Sequence, residues 1–328
     1  MLRAVVENFL SSLTEREFDG PLLAILSSRG FTDIHFTHGG FEFGKDVIAK
    51  KEVSKTGFVA SLGRRLGCRG SSSVRQYAIQ SKAGDLGQSE WRAVRPQLEE
   101  CEYNTLSHPA FDDSLPRVVV LVTTGHLKGA AAPDAQQFEK NCKSRGLEGF
   151  EIWDEQDLLN TLCNDPSLGL TAATVQNDLL TLVSSINNGE VTEPELERFS
   201  RRWLAGEAAK SRLSQASIET SVICNLLRNT RRLDLAALMS LHLYRAAWRS
   251  IAGPTAESAL RLFTAYAAEL LSQVEPLLED PHALARALIV DPLAVVIYPT
   301  ACSRMIEIFG LLALTADADL ATRATEAV

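Results

Sequence analysis

Residues 117–123 read Arg-Val-Val-Val-Leu-Val-Thr, a run of β-branched apolar residues with almost no polar interruption. A strand with one wet face alternates. A run without alternation needs apolar cover on both faces, which a sheet obtains when helices pack above and below it through parallel crossovers. This segment therefore commits the surrounding chain to an α/β layer. The flanking sequence supplies matching elements. Thr14-Glu15-Arg16-Glu17 fits a capping box that starts a helix at Glu15. Asp19-Gly20-Pro21 offers a competing start, because Pro suits a first helical turn. Leu22, Leu23, Ile25 and Leu26 give either helix its apolar face, and Gly30 ends it. Residues 33–37, 46–49 and 76–82 read as strands, 89–103 and 135–145 as helices, 150–153 as a further strand, and Asp154 caps a helix through Leu162. Between 50 and 75, Gly57, Gly63, Gly67, Gly70 and the serines at 71–73 mark a long loop.

The texture changes at Asn164-Asp165-Pro166. From Thr171 onward there is no strand pattern. Segments 172–186, 193–208, 211–228, 232–250, 254–275, 281–290 and 293–315 carry 3.6-residue apolar spacing, divided by Asn-Asn-Gly, Gly-Pro and Asp-Pro. No tetratricopeptide pattern recurs. The expected organisation is an α/β domain of mixed sheet flanked by helices over 1–165, then an all-α helical array over 170–328, in keeping with two domains for 328 residues. Trp203, Tyr244, Trp248 and Tyr266 fall on helices and are expected in their cores, while Arg228, Arg231 and Arg232 read as a solvated turn or a second phosphate contact.

Several classes are disfavoured. No apolar run approaches a membrane span, and the first residues lack a signal cleavage site. The six cysteines, at 68, 101, 142, 163, 224 and 302, form no C-x-x-C, and the histidines no H-E-x-x-H, which argues against a zinc site and for reduced thiols in a cytoplasmic protein. Gly63-Arg64-Arg65-Leu66-Gly67 is not a P-loop, and the glycines fail the dinucleotide spacing, so no nucleotide cofactor is expected. The net charge of −8 conceals an asymmetry. Residues 45–82 hold nine Lys or Arg against Asp46 and Glu52, a local +7 that leaves −15 for the rest. Such a patch suits either a polyanion or a solvated loop.

The most informative stretch is Gly44-Lys45-Asp46-Val47-Ile48-Ala49, followed by Tyr77-Ala78-Ile79-Gln80-Ser81-Lys82. Gln80 and Lys82, two apart on a strand, share a face. If the strands are hairpin-connected, the Asp46 carboxylate and the Lys82 ammonium can meet at one end of the sheet, where a plain ion pair anchoring the strand end is the alternative. The order of an acid-bearing helix, Gly-x-Asp-Val-Ile, a strand ending Gln-x-Lys, a helix, the strand and Thr-rich turn of Val118 to Cys142, and Phe150-Glu151-Ile152-Trp153-Asp154-Glu155-Gln156-Asp157-Leu158-Leu159 resembles the Mrr-like branch of the PD-(D/E)XK nucleases over about residues 14–163. The resemblance implies a restriction-endonuclease-like fold and Mg²⁺-dependent DNA cleavage, with Mn²⁺ able to substitute. By resemblance Asp46 is the central metal ligand. The amide carbonyl of Gln80 or the backbone carbonyl of Ser81 adds oxygen, as a hard cation requires. Lys82 positions or activates the attacking water and offsets phosphate charge. The family's helix acid falls at Asp19, one methylene shorter than the usual Glu, with Glu17 as the rival two residues away. Helix capping is the alternative for both. Glu42 is a further ligand candidate or a turn carboxylate, and His38 a phosphate contact or an exposed turn residue. Arg64, Arg65, Arg69 and Arg75 are the candidate phosphate contacts of the basic loop.

The resemblance further implies a restriction or antiphage effector. The competing expectation is a catalytically inactive nuclease-like fold that binds DNA or a protein partner. Runs such as Ile289-Val290 and Leu293-Ala294-Val295-Val296-Ile297 are apolar on more than one helix face, so the helical half is expected to form a homodimer or higher homo-oligomer.

Overall fold

The computed structural model describes residues 2–37, 46–54, 72–103, 111–112, 114–144, 148–170, 177–204, 210–280, 282–283 and 294–328. Its sheet has five strands in chain order, β1 (Phe31–Phe36), β2 (Val47–Ser54), β3 (Ser72–Lys82), β4 (Arg117–Thr123) and β5 (Gly149–Trp153). The pairs β1–β2 and β2–β3 are antiparallel, whereas β3–β4 and β4–β5 are parallel. Every residue of β4 from Val118 on is buried, as its composition demands. Helices α2 (Glu15–Ser28), α3 (Gln88–Tyr103), α4 (Ala131–Ser144) and α5 (Glu155–Asn164) flank the sheet.

Successive strand residues point to opposite faces. Ala78, Val119, Leu121 and Phe150 join Trp91, Val94 and Leu98 of α3 and Ala135 and Phe138 of α4 in one core. Phe138 and Phe150 meet edge to face at 4.9 Å. On the other face Phe31 packs edge-on to Tyr77 and Trp153, at 4.8 and 5.8 Å. The Arg29 guanidinium lies 4.4 Å from the Trp153 ring centre and donates to Thr161 Oγ1 of α5 at 3.0 Å. Strands β2 and β3 run further than their apolar residues indicate. The ladder continues through Lys50–Gln76, Lys51–Arg75 and Glu52–Val74 to Ser54–Ser72, since main-chain bonding does not depend on side-chain polarity.

The chain divides into two units, Leu13–Asn164 and Met1–Ser12 with Asp165–Val328. This corrects the boundary read from the sequence, which gave all of 1–165 to the α/β domain. Helix α1 (Arg3–Ser12) belongs with the helical unit, formed otherwise by α6 (Asn177–Asn187), α7 (Glu193–Arg201), α8 (Lys210–Asn229), α9 (Leu233–Arg249), α10 (Gly253–Val274), α11 (Ala294–Thr315) and α12 (Ala318–Glu326). The cause is apolar. Val5, Val6, Phe9 and Leu10 of α1 are buried, α1 packs on α8 and α10, and Asn8 Nδ2 donates to Ser258 Oγ at 2.6 Å. Helix α12 carries too little apolar residue to be read from the sequence; Asp317 caps it, accepting from Leu320 N. The helix expected over 281–290 lies largely outside the described residues.

Ion pairs, part of them buried, tie the helices together. Glu219, fully buried, accepts from Trp203 Nε1 at 2.7 Å and Gln215 Nε2 at 2.9 Å and pairs with Arg202 at 2.6 Å. Arg304 of α11 reaches Glu193 of α7 at 2.9 Å and Asp234 of α9 at 2.8 Å, and Arg232 also holds Asp234. No described helix is long and apolar enough to cross a membrane.

Candidate active site

The β2–β3 register pairs Val47 with Ile79, which sets Asp46 opposite the end of β3. Asp46 N donates to Ile79 O at 3.0 Å and continues the ladder. Its carboxylate then turns onto the strand end. Asp46 Oδ2 accepts from Gln80 Nε2 at 2.6 Å, from Ser81 N at 2.7 Å and from Ser81 Oγ at 3.2 Å. Gln80 is 3% exposed, and its Oε1 is buried without a hydrogen-bond partner among the described residues. An unsatisfied buried acceptor costs about 1–3 kcal/mol. The amide thus carries one well-used donor and one unused oxygen, next to a carboxylate.

Lys82 lies one strand repeat beyond Gln80. Its Nζ is 3.2 Å from Glu15 Oε1, with the lysine about a quarter and the glutamate about half exposed. A pair this wet contributes at most about 1 kcal/mol, so it places the ammonium without holding it firmly. The backbone after Lys82 is fixed more tightly. Lys82 O accepts from Thr124 N at 3.2 Å, Thr123 Oγ1 donates to Gly84 O at 2.6 Å, and Gly84 N donates to Thr124 Oγ1 at 2.9 Å. A Cβ on Gly125 would come within 2.4 Å of Asp85 N, so the β3 and β4 ends can approach this closely only with glycine there.

The helix acids separate. Glu17 closes the capping box, its Oε2 accepting from Thr14 N at 3.0 Å and Thr14 Oγ1 at 2.9 Å, and the cap satisfies a helix-end donor that would otherwise be orphaned. Asp19 stands half-buried on α2, one turn beyond Glu15 and on the same helix face. Glu15 was not singled out from the sequence, where the capping box accounted for it as a helix start. Its four-residue spacing from Asp19 was the available signal. Arg75 is not a loop residue. It sits on β3 and pairs with Glu148 at 2.8 Å. Arg64, Arg65, Arg69, Glu42 and His38 lie outside the described residues.

A second polar cluster, not read from the sequence, gathers where β4 and β5 end. His126 Nδ1 is 3.3 Å from Asp154 Oδ2 and its Nε2 is 2.9 Å from buried Glu155, while His126 N donates to Asp85 Oδ1 at 2.9 Å and Lys128 pairs with Asp85. Both ring nitrogens face carboxylates, so the cluster knits loops together and leaves the imidazole no open position. Among the described residues no three His, Cys, Asp or Glu side chains form a metal-holding group. The donors near Asp46 are instead an amide oxygen, a hydroxyl and the carboxylate itself. Comparison with family models, with curated proteins and with solved structures returned no match.

Proposed function

We propose that Leu13–Asn164 is a metal-dependent DNA endonuclease domain of the PD-(D/E)XK kind, Mrr-like in its Gln-x-Lys, with a restriction-endonuclease-like arrangement of helix, three antiparallel strands and parallel crossovers. The observation that carries this reading is the buried Gln80 Oε1 beside the Asp46 carboxylate, without a hydrogen-bond partner among the described residues. A hard divalent cation is the partner such oxygens fit. It takes carboxylate, amide and backbone oxygens and keeps several waters, so a single carboxylate is a workable start. Asp46, Gln80 and the Ser81 carbonyl would hold Mg²⁺, or Mn²⁺ in its place. When bound, the ion supplies Lewis-acid polarisation of the phosphate and a more acidic water.

The chain's own groups account for the rest. Ser81 N and Oγ orient the Asp46 carboxylate before substrate arrives. Lys82 directs its ammonium to a phosphate oxygen and offsets the charge that builds there. Glu15 holds Lys82 only weakly, so an incoming phosphodiester anion of the DNA displaces it. Asp19, one turn along the same helix, is the further carboxylate of the site. Arg64, Arg65 and Arg69 of the basic loop contact the DNA backbone. The helical unit associates as a homodimer through apolar residues left exposed on α11, Ile306, Leu311 and Leu314, and so delivers two centres to opposite strands. A restriction or antiphage role in the cytoplasm follows from the family resemblance alone.

One observation favours a second reading. Lys82 is paired with Glu15, and no three-acid group is assembled among the described residues, as a binding-only descendant of a nuclease would have it. Plasmid cleavage in Mg²⁺ against EDTA separates the two. The nuclease cuts only with metal, and Asp46→Ala and Lys82→Ala each lose cutting while keeping wild-type circular dichroism. Absence of metal-dependent cleavage, or wild-type rates in either variant, would overturn the proposal. Light scattering of the full chain tests association, and a monomer at micromolar concentration removes the dimer.

A further inference from the structure

Helix α9 was expected to bury its aromatic residues, and it does not. Trp248 is 69% exposed. The other three tryptophans, Trp91, Trp153 and Trp203, are 1%, 8% and 5% exposed. Tyr244, one turn earlier, stacks on Trp248 with ring centres 6.0 Å apart and planes inclined by 26°. Ile251, just past the helix, is 94% exposed and holds φ at +54°. A β-branched residue in the left-handed region is strained, and here no packing compensates it. Arg245 and Arg249 are exposed on the same stretch. Helical spacing sets Tyr244, Arg245, Trp248 and Arg249 on one continuous face. No acidic residue occurs between Asp234 and Glu257. Glu197, whose carboxylate feels the charge of Arg245, is itself bonded to Arg201 at 3.0 Å.

We infer that this face binds unpaired nucleotides, with Trp248 as the platform on which a base stacks and Arg245 and Arg249 as its phosphate contacts. The chemistry is complementary in both parts. Every base has a π-face for an exposed indole, and guanidinium groups suit phosphate. Tyr244 supports the indole from one side, so the platform is oriented before a ligand arrives. The other occupants fit less well. A stable protein interface buries about 800 Å² per partner around an apolar centre, and this patch offers one indole, one isoleucine and two cations. Anchoring on a lipid surface draws on a long apolar helix face, whereas the apolar residues Leu243, Ala246 and Ala247 of α9 are buried in the unit.

The exposure pattern supplies the assay. Trp248 is the one tryptophan largely exposed to water, so quenching of the intrinsic emission at its red edge reports on this site. The full chain is titrated in EDTA with a single-stranded oligothymidylate, with heparin as a polyanion without bases, and with anionic phosphatidylserine vesicles. EDTA keeps the Asp46 chemistry out of the measurement, so quenching without any nuclease activity upholds this inference while the endonuclease reading fails, and the reverse outcome is equally distinguishable. Expected are quenching by the oligonucleotide alone, a fall in its affinity of about five- to hundredfold in Trp248→Ala by fluorescence anisotropy of labelled DNA, and near-wild-type affinity in Trp248→Phe. Replacing Arg245 and Arg249 by Gln should lower the log–log salt slope by about 1.4. No quenching, equal quenching by heparin, a blue shift with vesicles in place of quenching by DNA, or unchanged affinity in Trp248→Ala would each overturn it.

Discussion

Replacing Gln80 by Glu tests the site through stability, without reference to catalysis. In the structure Gln80 Nε2 donates to Asp46 Oδ2 at 2.6 Å. Gln80→Glu removes that donor and puts a carboxylate in its place. Two ionised carboxylates repel by about 4 kcal/mol at 4 Å and an effective dielectric of about 20, and more when closer. The pair escapes by sharing a proton, which restores a hydrogen bond. Taking a proton at pH 7 onto a group of ordinary pKa about 4.3 costs about 3.7 kcal/mol. In EDTA at pH 7 the variant should therefore lose close to 4 kcal/mol, about 8–16 °C in the melting of the α/β unit at about 2–4 °C per kcal/mol. The sign with pH is fixed. The folded variant binds the extra proton, so the deficit shrinks by about 1.4 kcal/mol for each unit the pH falls, to about 1 kcal/mol at pH 5. Mg²⁺ reverses the order of preference, since two carboxylates are better ligands than one and an amide. The melting point of Gln80→Glu should rise with Mg²⁺ by more than that of the wild type. Calorimetry at pH 7 and pH 5, in EDTA and in Mg²⁺, reads all four values. An unaltered melting point in EDTA would mean that position 80 does not face Asp46. Equal Mg²⁺ shifts in both proteins would remove the metal site.

Arg231 and Ile251 hold φ at +60° and +54° where the helix end closes with an N–H donated five residues back, as Gly189 does at +74°. An L-residue there costs about 1–2 kcal/mol and glycine about 0.5–1 in unfolded-chain entropy, so Arg231→Gly and Ile251→Gly should each stabilise by about 0.5–1 kcal/mol in urea unfolding; a loss would refute the strain. Burial alone would raise the Asp234 pKa, but bonds from Arg232 and Arg304 overcome it and hold the carboxyl below its usual range. Its contribution is complete above the unfolded pKa of about 3.9 and is lost as pH falls through the lower folded value. Arg304→Met should cost about 2–3 kcal/mol, less than the 3–5 of a wholly broken buried pair because Arg232 remains, and should move acid unfolding to higher pH; urea melts from pH 3 to 7 check both. Neutralising Arg64, Arg65 and Arg69 together should lower the salt slope of duplex binding by about 2.7, and an unchanged slope would return that loop to solvent.

What was legible in the sequence was whatever depends on near neighbours. Residues 117–123 announced a doubly covered strand because burial on two faces leaves no room for polar residues, and Val118 to Thr123 are all buried. A period of two and an antiparallel pairing bring Asp46 and Lys82 to one end of the sheet; the register does set Asp46 there, but its carboxylate takes bonds from Gln80 and Ser81, while Lys82 pairs with Glu15. The reading failed where the partner is distant or is main chain. Polar residues at 50–54 and 72–75 hid the outer half of the β2–β3 ladder. Glu15 was absorbed by a capping motif that accounts for its place in the helix but not for Lys82 opposite it. Trp248 was assigned to a core because indole usually goes there, and only the packing of α9 shows which of its faces is covered.

Helix α1 is synthesised long before the surfaces of α8 and α10 that it packs on. Asn8 and its partner Ser258 are 250 residues apart, which at about 5–20 residues per second is roughly 12–50 s of synthesis. Through that interval Leu13–Asn164 emerges whole, with its sheet contacts all internal, while Val5, Val6, Phe9 and Leu10 wait without cover. Assembly thus departs from chain order: the α/β unit can be finished early, and α1 docks only after α8 and α10 have been made. A nascent chain stalled between Asn164 and Ser258 would display a folded α/β unit beside an uncovered apolar helix, a surface open to chaperones and to aggregation.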